Sequence, residues 1–117
     1  MKISELLEHK RDIETICTEN PKLPVKVSYT IAVNKQRIVH ALLPYEEEQK
    51  RLFKGYSEDG VSIPKDSPNY IEFLEAFNEL LNMDSDVMIR QFKIDDLGEG
   101  EIDMKIMDAM AFMIKEQ

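Results

Sequence analysis

The chain has 117 residues, 43% hydrophobic and 32% charged, with a formal charge of −8. That length and composition fit one globular domain over 1–117 with its own core, and exclude collagen-like and wholly disordered chains. No apolar run nears the roughly 18 residues that span a bilayer, and a single cysteine, Cys17, excludes an intramolecular disulfide.

The amino terminus, Met1-Lys2-Ile3-Ser4-Glu5, lacks the apolar block and cleavage site of a signal peptide, so a cytoplasmic protein is expected. Ser4 suits an N-cap, and Leu6, Leu7, Ile13 and Ile16 follow at helical spacing, which predicts a helix over about 4–18. Asn20 and Pro21 end it. Cys17, at its end, reads as a small buried filler rather than a nucleophile.

From Pro24 the pattern admits two structures. Val25, Val27, Tyr29 and Ile31 alternate as a strand would, whereas the stripe Ile31, Ile38, Leu42, Tyr45, Leu52, Tyr56 is helical. A helix from 24 is preferred, with a strand over 25–31 as the alternative. Pro44 predicts a kink or a break near Ala41–Leu43, because it lacks a donor and clashes with the preceding turn. A straight helix over 24–55 would be about 48 Å long, too long for a compact domain. The second arm, to Gly55, is therefore expected to fold back on the core.

Asp59-Gly60 marks a turn, with Val61–Ile63 as a short strand. Ser67-Pro68 is a strong helix start, followed by Tyr70, Phe73, Leu74, Phe77, Leu80 and Leu81 to about Met83. Asp84-Ser85-Asp86 breaks that helix. Val87, Ile89, Phe92 and Ile94 predict a strand whose parity slips, and a last helix is expected over 103–115. The expected fold is α+β and mainly helical, with about four helical segments, one kinked at Pro44, packed with a small β-sheet or hairpin. An unpaired strand edge would offer a route to a homodimer.

Charge divides unevenly along the chain. Residues 1–56 hold ten Lys and Arg against eight Asp and Glu; residues 57–117 hold five against fifteen. The acidic second half repels phosphate backbones, which argues against direct nucleic-acid binding. It suits either solubility, a basic protein partner, or imitation of nucleic acid. Asp95, Asp96 and Glu99, with Glu101 and Asp103, form the acidic loop, but no frame there matches an EF-hand. No metal or cofactor site is expected. Met104, Met107, Met110 and Met113 recur every three residues near the end. Such a band suits a core helix, or one partly covered by a partner protein. His9 and His40, on helical segments far apart in sequence, read as surface or satisfied helix residues rather than ligands. No phosphate loop, nucleophile elbow or zinc motif is present, so an enzyme is unsupported.

Several short stretches resemble a group of small uncharacterised proteins of tailed bacteriophages and prophages of Gram-positive bacteria. They are Lys22-Leu23-Pro24-Val25-Lys26 with Tyr29 and Asn34, then Tyr45-Glu46-Glu47 with Arg51 and Leu52. Phe77-Asn78 with Leu80 and Leu81, Val87–Ile89, and Ala111-Phe112-Met113-Ile114 complete them. The resemblance carries no active-site signature. It implies a phage setting: an accessory of virion assembly that binds a phage structural protein, or an inhibitor of a host protein. The alternatives kept are an acidic nucleic-acid mimic that blocks a host DNA-binding or defence protein, and an enzyme of unknown type.

Overall fold

Residues 1–115 are described by a computed structural model. The expected domain and its acidic second half extend to 117, so their last two residues lie outside that description. The helices are α1 (Ile3–Glu19), α2 (Val25–Ala41), α3 (Leu43–Tyr56), α4 (Pro68–Leu81) and α5 (Met104–Met110). Single 3-10 turns occupy Ile94–Leu97 and Ala111–Met113.

The fold is all-helical, which corrects the α+β expectation. Among the described residues there is no strand, only two isolated bridges, Lys2 with Asp84 and Phe92 with Ile114. Residues 25–31 are helix, with Val27, Thr30 and Ile31 buried on one side. Val61 is 81% exposed in the loop and pairs with nothing as a strand would. Residues 85–91 run without helix or sheet. Asn34 on α2, fully buried, replaces a neighbouring strand. Its side-chain N–H donates to the Arg90 carbonyl and its oxygen accepts from the Arg90 N–H, both at 2.8 Å. Arg37 donates to the Met88 carbonyl at 3.0 Å. A segment with alternating apolar residues thus satisfies backbone groups against helix side chains, so strand periodicity appears without a sheet.

Local chemistry sets the helix ends. α1 starts one residue before Ser4, at Ile3, because the Glu5 carboxylate accepts from the Lys2 N–H at 3.3 Å. It stops at Asn20, whose φ of 48° is the left-handed conformation that asparagine tolerates. Ser67 caps α4 by accepting from the Asn69 N–H at 3.2 Å, with Pro68 at the first helical position. α5 is capped by Asp103 and ends at Met110, short of the expected Lys115. There the Phe92 N–H reaches the Met113 carbonyl and the Lys115 N–H reaches Phe92, which draws the chain out of the helix.

Around Pro44 the helix breaks, the second of the two outcomes expected there, with α2 ending at Ala41 and α3 starting at Leu43. Leu42, at φ −86° and ψ −7°, joins α2 to α3, and Pro44 falls in the first turn of α3, where a missing N–H costs least. The second arm does not fold back on the core. It pairs instead with α4, and the two form a helical hairpin that projects from a body made of α1, α2 and α5. The molecule measures 56 × 26 × 20 Å with a radius of gyration of 17.9 Å. A compact chain of this length would have about 13 Å.

The core sits in the body: Leu6, Ile13, Ile16, Val27, Ile31, Ile38, Leu42, Phe92, Ile106, Met110 and Met113. Lys105 joins α5 to the end of α1 through Glu19 at 2.9 Å. Within the hairpin helices only Tyr45 and Leu80, both near the base, are buried. Further out, an aromatic seam joins Tyr45 to Phe77 at 6.4 Å, Phe77 to Phe73 at 5.7 Å, and Phe73 to Phe53 and Tyr56 at 6.2 Å each. Two helices without a third layer cannot enclose those rings, and all four beyond Tyr45 stay half-buried.

Candidate functional site: an acidic cleft between arm and body

Where the hairpin meets the body, a cleft of about 770 Å³ opens. Its apolar floor is Ile3, Tyr45, Leu52 and Leu80, drawn from three helices. α3 and α4 supply Glu48, Arg51 and Glu79; the segment after α4 supplies Met83, Asp84 and Asp86. That segment is placed by the start of the chain. The Ile3 N–H donates to the Met83 carbonyl at 3.0 Å and the Ser85 N–H to the Met1 carbonyl at 2.7 Å.

Charge around the cleft is one-sided. The Arg51 guanidinium donates through both Nε and Nη2 to the same Glu48 oxygen, the Nε bond being 2.8 Å. This bond holds the Glu48 carboxyl below its ordinary range and raises Arg51. Asp84 in turn lies 3.9 Å from the Met1 amino group, so with both pairs set aside Glu79 and Asp86 remain as negative charges beside a hydrophobic floor. Burial, then the Glu46 charge, pushes the Tyr45 phenol up, so it stays protonated. An apolar surface ringed by carboxylates suits a peptide with a hydrophobic anchor and flanking Lys or Arg.

The residues singled out from the sequence lie elsewhere and do not converge. Asp95 and Glu99 are exposed, on or beside the turn at Ile94–Leu97. Asp96 between them is committed: one oxygen accepts from the Lys93 N–H at 2.9 Å and the other from Lys26 at 3.2 Å. The first of those bonds chiefly lowers its pKa. Met110 and Met113 are fully buried, Met107 is half-buried, and Met104 is 78% exposed at the start of α5. A partner approaching α5 would meet Met104 and the flank of Met107; the other two fill the core.

Cys17 is exposed rather than the buried filler expected. The His9 ring stacks on Phe112 at 4.0 Å and 8°, clamping α1 to the last turn. His40 is exposed on α2. Among the described residues no three of His, Cys, Asp and Glu converge as metal ligands. None of their helices is long and apolar enough to cross a membrane.

The cleft residues were missed from sequence because they come from four separate segments. Asp84 and Asp86 announce a helix break, and Glu48 and Glu79 look like ordinary solvated helix residues. Only the pairing of Met1 and Ile3 with residues 83–85 brings them together, and no periodicity encodes that. Comparison with protein-family models, curated proteins and solved structures finds no match for this chain.

Proposed function

We propose that this chain is a non-enzymatic interaction protein of a phage or prophage, an accessory to virion assembly. In this role it holds a basic, apolar-anchored segment of a phage structural protein in the cleft. The phage setting rests on the resemblance of Lys22–Lys26, Tyr45–Glu47 and Ala111–Ile114 to phage-encoded proteins. The observation that carries the binding role is the cleft itself: Glu79 and Asp86 beside Ile3, Tyr45, Leu52 and Leu80. Its place is the host cytoplasm, with passage into the virion.

The inhibitor that imitates nucleic acid stands second. It needs Asp95, Asp96 and Glu99 as free charges, and Asp96 already serves Lys93 and Lys26.

Tagged protein should capture a virion component from an induced lysate, less strongly as salt is raised. The double change Glu79→Lys and Asp86→Lys should weaken that capture at least tenfold while thermal unfolding stays unchanged. Capture of no virion component, or full capture by the reversed variant, would contradict the proposal.

A further inference from the structure

α2 is apolar on both of its sides, yet the body covers only one of them. Val27, Thr30, Ile31, Asn34 and Ile38 are buried toward the core. On the far side Val25, Tyr29, Ala32, Gln36 and Val39 follow at alternating steps of four and three, and Leu43 continues the row past the helix end. All six are exposed, Val25 to 83% and Tyr29 to 57%. Ala32, Gln36, Val39 and Leu43, with Lys35 and His40, line a groove of about 470 Å³. The spacing is that of a coiled-coil seam, about 27 Å long at 1.5 Å per residue, with one polar position at Gln36. A helix apolar all round is one that is covered all round. The cleft is not involved, because Ala41, which lines it, sits on the opposite side of α2.

We infer that this second face of α2 is covered by an amphipathic helix of another protein, apolar along its own seam and carrying Asp or Glu beside it. Charge selects that occupant. The chain holds 23 Asp and Glu, yet none falls between Asn20 and Tyr45, where Lys22, Lys26, Lys35 and Arg37 stand. Lys35 flanks the seam on one side. On the other side the Arg90 guanidinium lies over the Tyr29 ring, 5.2 Å from its centre, and Arg37 reaches the Met88 carbonyl. The acids nearest this face are already engaged. Asp96 accepts from Lys26 at 3.2 Å, and Glu14, near Lys35, pairs with Lys10 at 4.0 Å. Lys35, Arg37 and Arg90 form no ion pair among the described residues.

A second copy does not supply what this face lacks. Two α2 seams laid parallel set Lys35 toward the partner's His40, and laid antiparallel in full overlap they set Lys35 against Lys35. With no carboxylate on α2, neither arrangement gains an ion pair, and both bring basic groups together. The strand edge expected to join two copies is absent among the described residues. A helix with glutamate at its flanking positions answers both edges at once.

The probe is a labelled synthetic helix of about four heptads, with leucine along the seam and glutamate beside it, read by fluorescence anisotropy. The chain should bind it at least tenfold more tightly than a twin carrying glutamine in place of glutamate. Val39→Asp with Leu43→Asp, both exposed changes, should weaken that binding at least tenfold with circular dichroism unchanged. Lys35→Glu with Arg90→Glu should remove the preference between the twins. No binding of the acidic helix, equal binding of both twins by the wild type, or binding that survives Val39→Asp/Leu43→Asp would overturn the inference. A dimer of the chain alone that those two changes dissolve would overturn it too, giving the face to a second copy. So would a single-stranded oligonucleotide that displaces the acidic helix, which would give Tyr29 and Arg90 to nucleic acid.

Discussion

Asn34 shows how one side chain decides between two folds. Its carboxamide spans the N–H and C=O of Arg90 at 2.8 Å each, inside a site with no access to water. Asn34→Ala leaves two backbone groups without partners, so a loss of about 3 kcal/mol is expected in urea unfolding. Asn34→Asp should be as damaging, because it sets a carboxylate against the Arg90 carbonyl. Asp59 has a comparable role at the hairpin tip, where its carboxylate accepts from the Ser62 and Val61 N–H groups at 3.0 and 2.8 Å. Those bonds, led by Ser62, hold its pKa below the ordinary carboxylate value. The folded pKa is therefore the lower one. Its contribution is complete above the unfolded value of about 3.9 and fades as pH falls through the folded one. NMR titration should show Asp59 protonating later than a free aspartate on acidification, with the Val61 and Ser62 amides losing protection together.

Among the elements, α5 separates what burial and exposure do to one residue type. Met110 lies in the core and Met104 is 78% exposed, six residues apart on the same short helix. Met110→Ala should cost about 3 kcal/mol of stability through lost packing and a cavity. Met104→Ala should stay within about 0.5 kcal/mol. Denaturant midpoints of the two variants check the contrast. The same helix marks where the sequence stopped being legible. Ser67-Pro68 and Asn20 announce a helix start and a helix end because capping is local chemistry, and both stand where expected. The end of α5 depends on Phe92, eighteen residues upstream of Met110, and the 85–91 segment on Asn34, fifty-six residues before Arg90. Period-two alternation there reports a half-buried extended chain, and nothing in it tells whether the neighbour is a strand or a helix side chain. The cleft was illegible for the same reason, since Ile3, Glu48, Glu79 and Asp86 meet only through tertiary pairing.

At the scale of the whole molecule, the compactness assumed for a chain of this length gave the wrong shape. Leu42 and Pro44 do redirect the helix, as expected, but α3 then leaves the body packed chiefly against α4. An arm with one aromatic seam and few buried residues has little stability of its own beyond its base. Its side toward the cleft is acidic, with Glu72, Glu75 and Glu79 at i, i+3 and i+7 along one face of α4. The binding proposed for the cleft follows from that projection, and a collapsed arm would remove it. Small-angle X-ray scattering of the dilute chain tests it most directly. A radius of gyration near 17.9 Å with a longest dimension near 56 Å is the predicted result. A value near 13 Å, that of a compact chain of equal length, would contradict it.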